Sequence, residues 1–154
     1  MTSYTLDTNI LIGLARLYPR EHFESLWMRI EELVVAGRCC VRTMVAEEVK
    51  RGSDDLLAWT TSLDGFVHDH VSEEFETVRQ INTAHPGWVI AQKNAADPFV
   101  IAHAKVESSV IVSNEKRKGA GTQDHNLSIP NVADEHGVEC INFFDLLRAE
   151  NWRF

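Results

Sequence analysis

The chain has 154 residues, 44% of them hydrophobic, the size of one domain that buries roughly two-thirds of the surface its unfolded form exposes, so neither a disulfide nor a structural metal is needed for folding. Fifteen basic residues against 23 acidic ones give a net charge of -8, opposite to that of a protein held on nucleic acid by bulk electrostatics, although an acidic cluster that binds cations brings such charge with it. No apolar run approaches the ~20 residues of a membrane span, and MTSYTLDTN lacks the basic stretch and apolar core of a secretory signal; the expectation is a cytoplasmic protein with no membrane contact.

In chain order, Ser3 to Asp7 is predicted as a strand and Thr8 to Leu17 as the helix that follows it. A second helix is predicted from Pro19 to Ala36, where Phe23, Leu26, Trp27, Ile30, Leu33 and Val34 recur at helical spacing and Gly37 supplies the stop. Arg38 to Arg42 is the second strand, followed by helices over Met44 to Arg51 and Asp54 to Ser62. Strand Phe66 to His70 and helices Glu73 to Ala84 and Pro98 to Glu107 come next, then strand Ser109 to Ser113. Helix Pro130 to His136, strand Val138 to Asn142 and helix Phe143 to Glu150 close the chain. No repeat, low-complexity tract or linker divides it, so residues 1–154 are expected to form one domain. This alternation predicts an α/β fold with a mainly parallel five-stranded sheet and helices on both faces. Sheets of that kind place their sites at the carboxyl ends of strands.

Four acids stand out by position. Asp7 closes the first strand, Asp97 precedes Pro98 at the start of a helix, and Glu115 follows the strand SVIVSN. Taken singly, Asp7 and Asp97 are equally read as helix caps and Glu115 as a solvated loop acid. On the helix after the second strand, a wheel at about 100° per residue puts Glu48 roughly 70° from the centre of the apolar face and Glu47 nearly opposite, so Glu48 is expected to point inward. Three of the four acids fall on one edge of the predicted sheet. Carboxylates brought together there repel one another unless a cation binds them. Hard ions such as Mg²⁺ and Mn²⁺ suit an oxygen-ligand cluster and can activate water for in-line attack on a phosphodiester.

YTLDTNILI, VAEEVKRG, AADPFVIAHA and VIVSNEK, in this order and at these separations, resemble the four acidic motifs of PIN domains, and VECINFFDLL resembles that family's closing strand and helix. The resemblance spans essentially the whole chain. It implies a Rossmann-like three-layer parallel sheet, a Mg²⁺- or Mn²⁺-dependent ribonuclease activity on an RNA substrate and, in many prokaryotic single-domain members, a toxin role opposed by an antitoxin protein, often with homodimerisation. Carried over by position, Asp7, Glu48, Asp97 and Glu115 are the implied catalytic, metal-binding acids, with Asn9 and Ser113 as supporting hydrogen-bond partners. The fourth motif departs from the pattern: many members have Thr-x-Asp where this chain has Ser113-Asn114-Glu115.

The polar loop KRKGAGTQDHN follows, and its Lys116, Arg117 and Lys118 either hold substrate phosphates or belong to a solvated loop. Asp124 in the same loop is a further acid, an alternative to Glu115 for completing the metal site. His68 and His70, two apart on a predicted strand, share a face but have no evident third ligand, and are expected to be an ordinary solvent-facing pair. His103 is expected to be packed or half-exposed, and Trp27, Trp59, Trp88 and Trp152 to be core or interface anchors. Cys39, Cys40 and Cys140 show no ligand spacing and are expected to be buried thiols. Two alternatives to a ribonuclease are a noncatalytic PIN-fold module whose acidic pocket accepts an arginine from another protein, and a phosphatase using Asp7 as nucleophile. The second lacks the DxDxT pattern, since Asp7-Thr8-Asn9 has no second acid.

Overall fold

The computed structural model describes residues 1–154. Its centre is β1 (Tyr4–Leu6), three residues buried on both faces. This strand pairs in parallel with β2 (Cys39–Arg42) on one side and β4 (Val110–Val112) on the other. β3 (Val67–His68) lies outside β2 and β5 (Cys140–Ile141) outside β4, again in parallel, giving the order β3-β2-β1-β4-β5. The sheet is therefore wholly parallel, and the chain reverses its direction of travel between β1 and β4. Right-handed crossovers on the two sides of that reversal put helices on opposite faces. α1 (Thr8–Leu17), α2 (Glu24–Val35), α3 (Thr43–Lys50) and α4 (Asp54–Ser62) pack on one face, and α5 (Glu74–Ala84), α6 (Asp97–Glu107) and α7 (Ile129–Glu135) on the other. α8 (Phe143–Ala149) returns to the first face, where Phe143 meets the Tyr18 ring. No helix is long and apolar enough to cross a membrane.

Local chemistry explains why most element boundaries fall within about one residue of where the sequence puts them, although β5 begins two residues after the predicted Val138. Ser53 accepts a hydrogen bond from Leu56 N and fixes the start of α4, while Asn142 and Asp145 form a capping box at the start of α8. α2 begins at Glu24 rather than Pro19, because Pro19 O accepts from both His22 N and Phe23 N in a closed turn before the helix. β3 is also shorter than the predicted Phe66 to His70. The His68 and Asp69 carbonyls are occupied by the Thr43 hydroxyl and the Arg42 guanidinium, so the ladder stops there.

The core is one cluster of 32 buried side chains. Trp27 stands edge-on to Trp59, and Trp59 to Phe66, between α2, α4 and the sheet. Leu11, fully buried on α1, is typical of positions where truncation to Ala costs about 2–5 kcal/mol. One part of the interior is polar. Under α5 and α6 the Thr5 hydroxyl meets Ser109 Oγ at 2.6 Å, Cys40 Sγ lies 3.2 Å from His103 Nε2, and Arg42 pairs with Glu74 at 2.7 Å, both side chains fully buried. One expectation changes here. His68 and His70 are half-buried instead of solvent-facing, His68 standing edge-on to the His103 ring and His70 stacking on Phe99 at 4.4 Å between ring centres. Cys39, Cys40 and Cys140 are buried free thiols, as expected, and Cys40 faces the His103 imidazole.

Candidate functional site

Because β1 and β4 are neighbours across the point where the chain reverses, the segments leaving their carboxyl ends diverge to opposite faces and leave a crevice between them, the usual ligand position in such sheets. Asp7 is the first residue after β1. It caps α1 by accepting from Thr8 N at 2.7 Å, and its other oxygen accepts from Ser113 Oγ at 2.8 Å. Ser113, directly after β4, in turn accepts from Asn9 Nδ2 and Glu115 N, each at 3.2 Å, while Asn9 Oδ1 accepts from Asn114 N at 3.1 Å. The two segments that leave β1 and β4 are thereby fixed around a single hydroxyl.

The four acids singled out by sequence line one cavity of about 640 Å³, together with Thr8, Asn9, Arg16, Arg51, Gln92 and Asn94 among others. Glu48 lies on the second turn of α3 and accepts from the Thr8 hydroxyl, while Glu47 is exposed on the far side of the helix. Asp97 opens α6 but makes no side-chain cap, so the capping reading of this residue fails. Glu115 enters from the loop after β4, with one oxygen accepting from Ile129 N at 2.8 Å. Asp124 is elsewhere: it binds the imidazole of His85, whose other nitrogen meets Glu135.

No basic side chain of the protein offsets this charge. None of the four carboxylates takes part in an ion pair, although Arg16 and Arg51 lie in the same wall and Arg51 is turned to Gln92 instead. Burial and the neighbouring Glu115 charge push Asp7 up from 3.8 to about 7, against the lowering effect of its hydrogen bonds from Ser113 and Thr8. Asp97 is raised well above its ordinary value by burial, then by the charges of Asp7, Glu115 and Glu48. An open group of oxygen donors carrying unbalanced negative charge fits a hard divalent ion.

Arg16, Arg51, Gln92 and Asn94 are not anticipated by the motifs. A helical wheel extended along α1 finds the first, since Thr8, Asn9, Ile12, Gly13, Arg16 and Leu17 form the face opposite the buried Ile10, Leu11 and Leu14. Gln92 and Asn94 come from an irregular segment held by a bridge between Ile90 and Lys93, with Ala91 and Asn94 both at positive φ, and no periodicity announces it. Lys116, Arg117 and Lys118 do not line the cavity. They lie beside it, and Arg117 makes a bidentate pair with Asp134 on α7 at 2.8 and 2.9 Å.

No curated protein matches the sequence. Among solved structures the chain is similar to VapBC2 from Rickettsia felis, determined bound to a DNA fragment from their promoter, with 18% identity and a TM-score of 0.56 over 92% of this chain and 99% of that one. It is also similar to FitAcB from Neisseria gonorrhoeae, with 15% identity and a TM-score of 0.52 over 90% of this chain and 96% of that one. At these identities the likeness shows the fold, the PIN-like parallel α/β architecture that the four motifs predict. A family model described as a domain of unknown function, DUF4411, matches residues 4–154, and the chain belongs to that family.

Proposed function

We propose that this protein is a Mg²⁺- or Mn²⁺-dependent endoribonuclease, acting as the toxin of a prokaryotic toxin–antitoxin pair. The observation that carries the reading is the convergence of Asp7, Glu48, Asp97 and Glu115, none of them ion-paired, on one open cavity at the sheet's reversal point. These four side chains would hold the metal. A bound divalent ion supplies the Lewis acidity that makes water nucleophilic near neutral pH and offsets charge at a phosphodiester. The protein's own contribution is to hold the carboxylates in place: the Ser113 hydroxyl orients Asp7, the Thr8 hydroxyl orients Glu48, and Ile129 N holds Glu115. Thr8 N and the two hydroxyls would act as outer-shell groups that hold these carboxylates in orientation for a bound ion. Arg16 and Arg51 in the cavity wall, with Lys116, Arg117 and Lys118 outside it, are the groups proposed to take strand phosphates.

The toxin assignment rests on the resemblance to PIN domains, supported by the shared fold with a structure determined on DNA from its own promoter. An antitoxin and a homodimeric state belong to the same proposal. A noncatalytic partner-binding module is a second reading, favoured by exposed Ile12 and Leu17 in the cavity wall, which offer a protein partner an apolar surface beside the acids. RNA incubated with protein freed of metal and then supplied with Mn²⁺ distinguishes the two. Cleavage that chelator stops and Asp97→Asn abolishes supports the nuclease. Cleavage in excess chelator refutes the metal dependence, and Mn²⁺ binding with no turnover on any RNA supports the binding module.

A further inference from the structure

The sheet face covered by α5 and α6 should be apolar, yet it holds a cluster of a different chemical kind from the acidic cavity. Cys40 from β2, His68 from the edge strand β3 and His103 from α6 each present one ligand atom, and the three atoms lie within 4.8 Å of one another. Cys40 and His103 are buried, and His68 is half-buried. None of these residues lines the cavity that holds the four acids.

Part of the cluster's surroundings resembles a metal ligand set, beside the buried Arg42 guanidinium, whose charge also reaches Cys40 and His103 and is paired by Glu74. His103 Nε2 faces Cys40 Sγ at 3.2 Å, and its other nitrogen, Nδ1, faces Glu74 Oε1 at 3.4 Å. Nδ1 is fully buried without a hydrogen-bond partner, whereas Oε1 is already ion-paired with Arg42 Nη2 at 2.7 Å, so a slight closing of the imidazole onto this carboxylate would satisfy Nδ1. A carboxylate on the far nitrogen of an imidazole is the common outer-shell arrangement of metal-bound histidine, where it fixes the tautomer and makes the near nitrogen a better donor. His68 Nε2 lies 3.0 Å from Gly65 O, which as a hydrogen bond leaves Nδ1 with the free lone pair. Two imidazoles and a thiol are thus each left with a donor for one centre.

We infer that Cys40, His68 and His103 form a binding site for a thiophilic divalent cation of the Zn²⁺ class, distinct from the carboxylate site. Sulfur and nitrogen donors select against Mg²⁺ and Mn²⁺, which prefer oxygen, and three protein ligands leave a fourth position for water on the half-buried His68 side. Binding converts the Cys40 thiol to a thiolate and releases its proton to solvent. The ion ties β2, the two-residue edge strand β3 and α6 together, adding to a short ladder and the few side-chain hydrogen bonds that Cys40, Arg42 and Thr43 make there. The inference does not depend on the proposed ribonuclease activity.

Cobalt substitution tests it on the full-length protein, stripped of metal and free of any polyhistidine tag. One equivalent of Co²⁺ is expected to give visible d–d bands and a near-ultraviolet thiolate-to-cobalt charge-transfer band, both removed by one equivalent of Zn²⁺. Cys40→Ser should remove the charge-transfer band, and Asp97→Asn should leave it unchanged. His68→Gln, at the half-exposed position that best tolerates change, should weaken Zn²⁺ in competition with a chromogenic chelator by at least about 100-fold, the upper end of what loss of an outer-shell partner alone costs. Absence of the charge-transfer band in the wild type, or its persistence in folded Cys40→Ser, overturns the inference. If Cys40→Ser does not fold, unchanged Zn²⁺ affinity in His68→Gln overturns it, leaving a plain thiol–imidazole hydrogen bond.

Discussion

Replacing Asp7 by Asn should stabilise the metal-free protein, an outcome opposite to that for most buried polar residues. Asp7 is 4% exposed and is pushed up from 3.8 to about 7, first by burial and then by Glu115. A carboxyl whose pKa is higher folded than unfolded holds its proton longer in the fold, so stability falls as pH rises. The loss begins near the unfolded value of 3.8 and is complete above about 7. At about 1.4 kcal/mol per unit, the full penalty is on the order of 4 kcal/mol. Asn caps a helix about as well as Asp, but its amide would meet a Ser113 oxygen that already accepts two hydrogen bonds, so one donor loses its partner at a cost of about 1–3 kcal/mol. The expected net gain at pH 8 is roughly 1–3 kcal/mol, or about 2–12 °C in melting temperature for a domain of this size. Carboxylates paired elsewhere, such as Asp124, Asp134 and Glu150, are lowered and give the opposite slope. The informative quantity is therefore the variant-minus-wild-type difference, measured by denaturant titration in chelator from pH 4 to pH 8. It should be negative at the acid end, where only the hydrogen-bond cost remains, and rise towards neutrality to become positive. Saturating Mn²⁺ should then restore the wild type, by about 2.7 kcal/mol at 100 times Kd, and do little for Asp7→Asn. A difference that does not change with pH, or a variant less stable than wild type at pH 8, would refute the claim that the charge is uncompensated.

Glu48→Gln should lower RNA cleavage by at least about 100-fold, the scale of losing one group that stabilises charge in the reaction, and weaken Mn²⁺ binding in calorimetry. Glu47→Gln, exposed on the same helix, should leave both intact, and a larger effect there would contradict the orientation of α3. Arg16→Ala with Arg51→Ala should lower the salt dependence of RNA binding by roughly 0.7 in slope for each phosphate no longer neutralised, and Lys116→Ala with Lys118→Ala by less, since the latter pair lies outside the cavity. Unchanged slopes in the first variant would leave those arginines without a substrate role. Burial lowers the pKa of His85, but hydrogen bonds to Asp124 and Glu135 outweigh it and the net shift is upward. The stabilisation this group provides is fully present below its unfolded value of 6.5 and is lost as pH rises through the higher folded value. His85→Gln should therefore cost more stability at pH 5.5 than at pH 8.5, and an equal cost at both would show that the ring contributes only packing.

Features legible in the sequence are those set by local chemistry. α1 and α4 have the predicted bounds because Asp7 and Ser53 cap them and their apolar spacing is regular. The convergence of four acids is accessible because strand ends in a parallel sheet share an edge, and the wheel separates Glu48 from Glu47 because α3 follows β2 without a loop. What cannot be read depends on contacts between distant segments. Cys40, His68 and His103 lie far apart in the chain, and a search for local ligand spacing sees only His68 with His70, whose partners turn out to be different. The shortening of β3 is of the same kind, since it follows from Arg42 and Thr43 capturing the carbonyls of another segment. Nor does the run Lys116-Arg117-Lys118 reveal that its central residue is engaged by Asp134.

The position of Asp97 shows which electrostatic effect controls the cavity. As the first residue of α6 it sits where the helix dipole favours a negative charge, by about 0.3–1 kcal/mol and at most about 2. That effect lowers a carboxyl pKa, yet Asp97 is raised well above its ordinary value, because burial and the charges of Asp7, Glu115 and Glu48 outweigh it. Backbone dipoles cannot balance this site. Ser113, Thr8 and Ile129 N donate to three of the acids, whereas the carboxylate of Asp97 receives no hydrogen bond. Arg16 and Arg51 share the cavity wall but do not pair with it either, Arg51 donating to Gln92 instead. Asp97 is therefore the acid whose charge depends most on a ligand from outside the chain. Its substitution by Asn should cause the largest loss of Mn²⁺ affinity for the smallest change in the metal-free structure, because no hydrogen bond made by its side chain is there to be broken. Calorimetry on the four acid-to-amide variants, side by side, checks this ranking, and a smaller loss for Asp97→Asn than for Glu115→Gln would overturn it.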